Sequence, residues 1–146
     1  MRAPFQVLAL LYRYQDGQLQ FAVFKRSNRQ MWQFISGGGE DDETPEQAVC
    51  REIFEEGGVK TDSVLRLTSL CYIRTDIYGK VHQLNWPDDL YVLPEYSFAF
   101  ECNDAICISD EHSEFAWLTY DQAYEVLTWD SNKTALYELN CRLTRK

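Results

Sequence analysis

Hydrophobic positions along this chain keep several different rhythms, and the changes of rhythm mark its elements. Residues 5–14, FQVLALLYRY, have a nearly continuous apolar centre, the pattern of a strand buried on both faces. Asp16-Gly17 in YQDGQLQ supplies a turn, and LQFAVFKR returns as a second strand to close a hairpin. MWQFIS predicts a short third strand running into the glycine triplet Gly37–Gly39. A helix follows, with Thr44 at its N-cap, Pro45 at its first position and Gln47 three residues after the cap, a capping-box arrangement. Ala48, Val49, Ile53 and Phe54 form the core-facing stripe, and Gly57-Gly58 end the helix. SVLRLTSLCYIRTDIY reads as a long extended segment, NWPDDLYVLPE as a loop and YSFAFEC as a strand. FAWLTYDQAYEVL reads as strand then helix, and DSNKTALYELNCRL as a terminal helix capped by Asp130 or Ser131. Strands first, a helix in the middle and helices at the end predict a mixed sheet covered on two sides.

Composition narrows the partners more than the fold. At 146 residues with no repeat or linker, residues 1–146 form one domain, and 45% hydrophobic content argues against extended disorder. A formal charge of −9 would repel a polyphosphate backbone, so nucleic acid is disfavoured as a partner. Divalent cations, and small anions carried with them, stay allowed. The five cysteines are scattered without a CxxC pair, so zinc spacing is absent and they read as reduced packing residues. The first residues lack a cleavage site, and no run is long enough to cross a membrane. A cytoplasmic protein is expected.

The chemistry concentrates in SGGGEDDETPEQAVCREIFEEGGV, residues 36–59. Glu52, Glu55 and Glu56 stand at i, i+3 and i+4 of the predicted helix, which puts them on one face about 5–6 Å apart at Cβ. Like charges at that spacing repel, and the helix C-terminus disfavours negative charge. Either the face is simply solvated, with Arg51 as partial relief, or the carboxylates converge on a hard cation such as Mg²⁺ or Mn²⁺. Three glycines just before the helix let a backbone approach an anion closely, which favours the cation.

Gly37, Glu43 and Arg51-Glu52-Ile53-Phe54-Glu55-Glu56-Gly57-Gly58-Val59 together match the pattern G-x5-E-x7-R-E-U-x-E-E-x-G-U, with U aliphatic. On this motif, residues 37–59, the chain resembles the Nudix hydrolases. The resemblance implies an α/β/α sandwich around a mixed β-sheet, and Mg²⁺-dependent hydrolysis of a nucleoside diphosphate linked to another group. It implies metal ligation by Glu52, Glu56 and Glu55 with the Gly37 carbonyl, catalytic roles for Glu55 and Glu56, and pairing of Arg51 with Glu43 or Glu52. Ser36 stands where many members have proline, and Asp42 where many have glycine; aspartate tolerates a left-handed backbone.

RAPFQVLALLY, MWQFISG and EHSEFAWL…SNKTALYEL are similar to the dihydroneopterin triphosphate pyrophosphatase branch of that family. This likeness implies Glu111 as a further metal ligand, with Glu114 its competitor, and Arg2, Lys25 and Ser36 as substrate-binding residues. Trp32, Trp86, Tyr91 and Tyr96 offer faces on which a pterin or purine could stack. His82 and His112 lack partners at ligand spacing and read as structural. The expected substrate is a nucleoside or pterin triphosphate, cleaved to monophosphate and pyrophosphate. A dNTP, a diadenosine polyphosphate or ADP-ribose are alternatives, and a non-catalytic ligand-binding module is a different class. The resemblance also allows a homodimer.

Overall fold

The computed structural model describes residues 1–78 and 84–145, so His82 lies outside the described residues. The elements run β1 (Arg2–Gln15), β2 (Gln18–Arg26), β3 (Trp32–Gln33), β4 (Ile35–Glu40), α1 (Pro45–Gly57), β5 (Leu65–Arg74), a 3-10 turn (Thr75–Tyr78), β6 (Val92–Glu101), β7 (His112–Leu118), α2 (Tyr120–Val126) and α3 (Asp130–Thr144). The strands form one mixed sheet organised by β1. One edge of β1 pairs in parallel with β6. Its other edge pairs antiparallel with β4 through the first half and with β2 through the second. β3 and β7 extend the sheet from β2, and β5 pairs with β6.

The continuous apolar run of β1 is explained by the layers on both of its faces. Val7, Ala9 and Leu11 join Ala22, Phe24 and Ile35 beneath Ala48, Val49 and Ile53 of α1. Leu8 and Leu10 point the other way, joining Phe21, Val23 and Phe34 beneath Ala123 of α2 and Ala135, Leu136 and Leu139 of α3. Each of the Val, Leu, Ile and Phe side chains, fully buried, is worth about 1.5–3 kcal/mol, so the period-two alternation holds helices on both faces. The expected α/β/α sandwich is therefore what forms. Among the described residues, no helix is long and apolar enough to cross a membrane.

Local signals act where expected, with four corrections. Asp16 and Gly17 both take positive φ, as a two-residue hairpin turn requires, and the Thr44–Gln47 capping box opens α1. Phe54, however, is half exposed and outside the core stripe. The predicted loop ends earlier than expected, because β6 already begins at Val92. Neither Asp130 nor Ser131 caps α3; the N-cap is Trp129, with no side-chain hydrogen bond. The left-handed residue before α1 is Asp41 (φ 50°), not Asp42.

One carboxylate of α3 fastens it to β5. The β5–β6 register shifts between Arg66 and Leu70, and Glu138 reaches the segment between. Its oxygens accept from the Thr68 and Ser69 amides, both at 2.7 Å, and from the Ser69 hydroxyl at 2.6 Å, while Arg142 Nε donates at 2.8 Å. Burial would raise this carboxyl, but donation from Ser69, Thr68 and Arg142 outweighs it and holds the pKa at about 2. Depressed below its unfolded value, the group stabilises the fold fully above about pH 4.5 and loses that contribution as pH falls toward 2. Glu138→Gln should lower unfolding free energy by about 2–4 kcal/mol at pH 7. In urea titrations the gap to wild type should close as pH drops through that window; a pH-independent gap would contradict this account.

Candidate active site

The glycine triplet is not a loop. Gly37, Gly38 and Gly39 lie within β4, Gly37 and Gly38 with ladder partners on β1, and none has positive φ. Their lack of a side chain matters for space instead. A Cβ on Gly37 would strike the Glu52 carboxylate, one on Gly38 the Arg2 guanidinium, and one on Gly39 the Phe5 ring. The strand is bare so that these three groups can lie against it. Gly37→Ala should therefore displace Glu52 and lower kcat about 10²-fold, the scale of a 1 Å misplacement. Gly57 has only the Ile35 methyl at 3.4 Å; Gly57→Ala should leave kcat near wild type and raise stability by up to about 1 kcal/mol. Steady-state kinetics with thermal melts on both variants would check the contrast.

Arg51 is the hub of the carboxylate face. Its Nε and Nη2 bond Glu43 at 2.8 and 3.0 Å, Nη1 bonds Glu52 at 2.9 Å and Glu55 at 3.1 Å, and Nη2 also bonds the Gly38 carbonyl at 2.8 Å. Arg51 thus pairs with both carboxylates named as alternatives from sequence, and with Glu55 besides. Glu43 accepts from the Glu40 amide as well (2.8 Å), which closes the turn from β4 into α1. Hydrogen bonding to Arg51 lowers the Glu43 pKa, and the guanidinium pKa rises in return. Neither Glu43 nor Arg51 lines the cavity beside β4. From outside it, they tie α1 to β4 and to the turn between them.

That cavity, of about 480 Å³, is lined by Gly37–Gly39, Ser36, Glu52 and Glu111, with the cations Arg2 and Arg26. Glu56 is buried behind it, within hydrogen-bonding reach of Glu52 and Glu111. Burial first, then those two carboxylates, pushes the Glu56 pKa up to about 11, and burial also raises Glu52. Glu56 Oε2 has no hydrogen-bond partner. Glu111 is held by the end of β2: Ser27 donates from its amide to the Glu111 carbonyl (2.9 Å) and from its hydroxyl to the Asp110 carbonyl (2.7 Å). His112 packs in the core 5.3 Å from the Phe24 ring, with Nδ1 3.8 Å from Glu56 Oε1. Burial lowers its pKa, against the nearby Glu111 charge.

Of the residues expected at the site, Gly37, Ser36, Glu52, Glu56, Glu111 and Arg2 come together. Glu55 does not; it is exposed and bound to Arg51. Lys25 does not line the cavity either, because a register shift between Lys25 and Arg26 against β7 turns its neighbour inward. Glu114 pairs across from Lys25 on the exposed surface of β7. Trp32 packs into the α3-side core, Tyr96 lies edge-on against Phe5, Trp86 is buried with its indole N–H on the Arg2 carbonyl, and Tyr91 is exposed. Sequence reasoning missed Gln6, Arg26, Ile77 and Tyr78, which line this cavity and a neighbouring one. Among the described residues, no three acidic, cysteine or histidine side chains form a closed metal cage. The carboxylates instead face one another and Arg51.

This geometry has relatives. A model of the NUDIX domain matches residues 4–139. The crystal structure of a Nudix hydrolase from Listeria monocytogenes superimposes with a TM-score of 0.84 at 40% identity, covering 97% of this chain and 94% of that one. The dihydroneopterin triphosphate pyrophosphohydrolase of E. coli shares the fold, with a TM-score of 0.71 at 21% identity over 95% of this chain and 97% of that one. An RNA pyrophosphohydrolase of Tolumonas auensis is 31% identical over 126 residues, 86% of this chain and 56% of that protein. The chain spans a little over half the length of that curated relative. A family match over residues 4–139, nearly the whole chain, makes this protein a member of the Nudix family.

Proposed function

We propose that this chain is a Mg²⁺-dependent pyrophosphohydrolase that cleaves a nucleoside or pterin triphosphate to monophosphate and pyrophosphate. Hydrolysis of a phosphoric anhydride, the coarse class, rests on membership of the Nudix family and on the names of its pyrophosphohydrolase relatives. The observation that carries the finer reading is the meeting of Glu52, Glu56 and Glu111 beside a cavity that also holds Arg2 and Arg26. Opposite charges line one space, as a phosphate chain with a divalent cation requires.

A divalent metal fits these residues. The donors are all oxygen, and Glu56 Oε2 is buried without a partner beside the Glu52 and Glu111 carboxylates. Glu52, Glu56 and Glu111, with Gly37 at the strand, would hold it. When bound, such an ion offsets phosphate charge and acidifies a water. Arg51 fixes the Glu52 rotamer through the 2.9 Å bond and braces it against the Gly38 backbone. With a bound ion offsetting the shared charge of the trio, Glu56 would be deprotonated and able to take the proton of the attacking water. Arg2 and Arg26 bind the phosphate oxygens, and the Ser36 hydroxyl supplies one further donor. Water adds to a phosphorus of the chain, the anhydride P–O bond breaks, and pyrophosphate leaves.

Product analysis by mass spectrometry tests this, with Glu56→Gln as the control. The panel holds dihydroneopterin triphosphate, the dNTPs, a diadenosine polyphosphate, ADP-ribose and 5′-triphosphorylated RNA. Monophosphate plus pyrophosphate from a triphosphate, lost in the variant, supports the proposal. Turnover of RNA ends alone would move the substrate toward that of the curated relatives, against a charge of −9. No turnover of any compound would point to a binding module.

A further inference from the structure

A second cavity, of about 580 Å³, adjoins the first and shares Gln6, Arg26, Ser36, Ile77 and Tyr78 with it. One molecule can therefore keep its phosphates beside Glu52 and Glu111 while its remainder enters the second space. The walls there are largely apolar, with Leu8, Met31, Ile73 and Trp129 among them. Such walls suit a flat heterocycle. Polar residues line it as well, Arg26, Asn28, Arg29 and Ser131 among them, and several of the others are already engaged. Asn132 Oδ1 accepts from the Phe34 amide at 2.9 Å. Gln33 accepts from the Trp129 indole at 3.3 Å and donates to Ser36 at 3.5 Å.

Glu95 differs from these. It lies on β6 beside Gln6 of β1, is only 5% exposed, and forms no ion pair among the described residues. Oε2 accepts from Gln6 Nε2 at 3.1 Å, and Oε1 has only the weak Cys71 thiol at 3.5 Å. Each carboxylate oxygen can accept twice, so both keep capacity. A carboxylate buried without a cation is disfavoured unless something else supplies donors. Burial accordingly raises its pKa, against the Gln6 and Cys71 donors that lower it.

We propose that the second cavity seats the substrate's heterocycle and that Glu95 selects a ring edge carrying two adjacent N–H donors. That edge is the 2-amino-4-oxopyrimidine shared by guanine and pterins, whose ring N–H and exocyclic amine meet one carboxylate side by side. Adenine presents an acceptor there, and hypoxanthine lacks the amine. This inference rests on the hydrolase reading above for its substrate class, but binding tests it without turnover.

The experiment is calorimetric titration of the full chain, in EDTA, with GMP, neopterin monophosphate, IMP and AMP. At least one of the two 2-amino ligands should bind about 10–100-fold more tightly than IMP and AMP, the discrimination of a good bidentate pair. Which of GMP and neopterin monophosphate binds tighter identifies the source of the edge. Glu95→Gln, nearly isosteric and checked for folding by circular dichroism, should bring the 2-amino ligands down to IMP while leaving IMP within about threefold, since that pair is lost alone. Equal affinity of the wild type for GMP, neopterin monophosphate and IMP overturns the proposal without need of the variant. So does a Glu95→Gln loss shared equally by all four ligands, or no binding of any of them. Binding as expected with no hydrolysis of any triphosphate would instead sink the catalytic reading and leave this one standing.

Discussion

Glu56→Gln should lose Mg²⁺-dependent activity and, with metal withheld, gain stability. The activity side follows from the proposed role of Glu56 as proton acceptor in the metal-loaded site, since removal of a general base lowers kcat by about 10²–10⁴-fold. The stability side follows from linkage. The folded-state pKa of Glu56 lies well above the ordinary carboxyl value of 4.5, through burial and through Glu52 and Glu111. The native state therefore binds this proton more tightly than the unfolded chain does. Stability from this group is greatest at or below about pH 4.5 and declines as pH rises toward the folded value. Glutamine stays neutral and escapes that decline. In urea titrations with EDTA, the variant should match wild type near pH 5 and exceed it by about 1–3 kcal/mol at pH 8, the scale of a buried polar group without its partner. Mg²⁺ should reverse the order by stabilising wild type alone. A variant less stable than wild type at pH 8 in EDTA would show that the carboxylate trio is not strained.

What could be foreseen about this site tracks how locally each feature is encoded. The capping box, the left-handed Gly58 and the i, i+3, i+4 glutamates are set within one helix, so residues 44–58 declare them without help from the rest of the chain. The two-sided burial of β1 was equally legible, because a continuous apolar run has one simple explanation in a sheet. The glycine triplet was visible but its reason was not. Glycine suggests backbone freedom, whereas these three make room for Glu52, Arg2 and Phe5, which only tertiary structure brings there. Lys25 and Arg26 illustrate another limit. Strand alternation assigns faces correctly until a register shift intervenes, and no single residue in KRS announces one. The second cavity was hidden for a third reason. Gln6, Gln33, Glu95 and Asn132 come from four separate elements, and none has a partner at motif spacing.

Arg51 is the point where fold and chemistry depend on one side chain, and its replacement should damage both. Five donated hydrogen bonds reach Glu43, Glu52, Glu55 and the Gly38 carbonyl, joining α1 to β4 and to the turn between them. In Arg51→Gln, three carboxylates lose their common cation, and breaking such a partly buried network should lower unfolding free energy by about 3–5 kcal/mol. Glu52 would also lose its orientation, with kcat down about 10²-fold. Arg51→Lys separates the two effects. Lysine restores the charge but not the planar fork that spans Glu43 and the Gly38 carbonyl together, so it should recover more stability than activity. Denaturant titration and steady-state kinetics on the two variants give the comparison. A rise confined to KM, with kcat unchanged, would mean that Arg51 meets the substrate directly. The arrangement argues otherwise: every nitrogen of the guanidinium is already committed to Glu43, Glu52, Glu55 or Gly38, and the side chain reaches the reaction only through the carboxylate it holds in place.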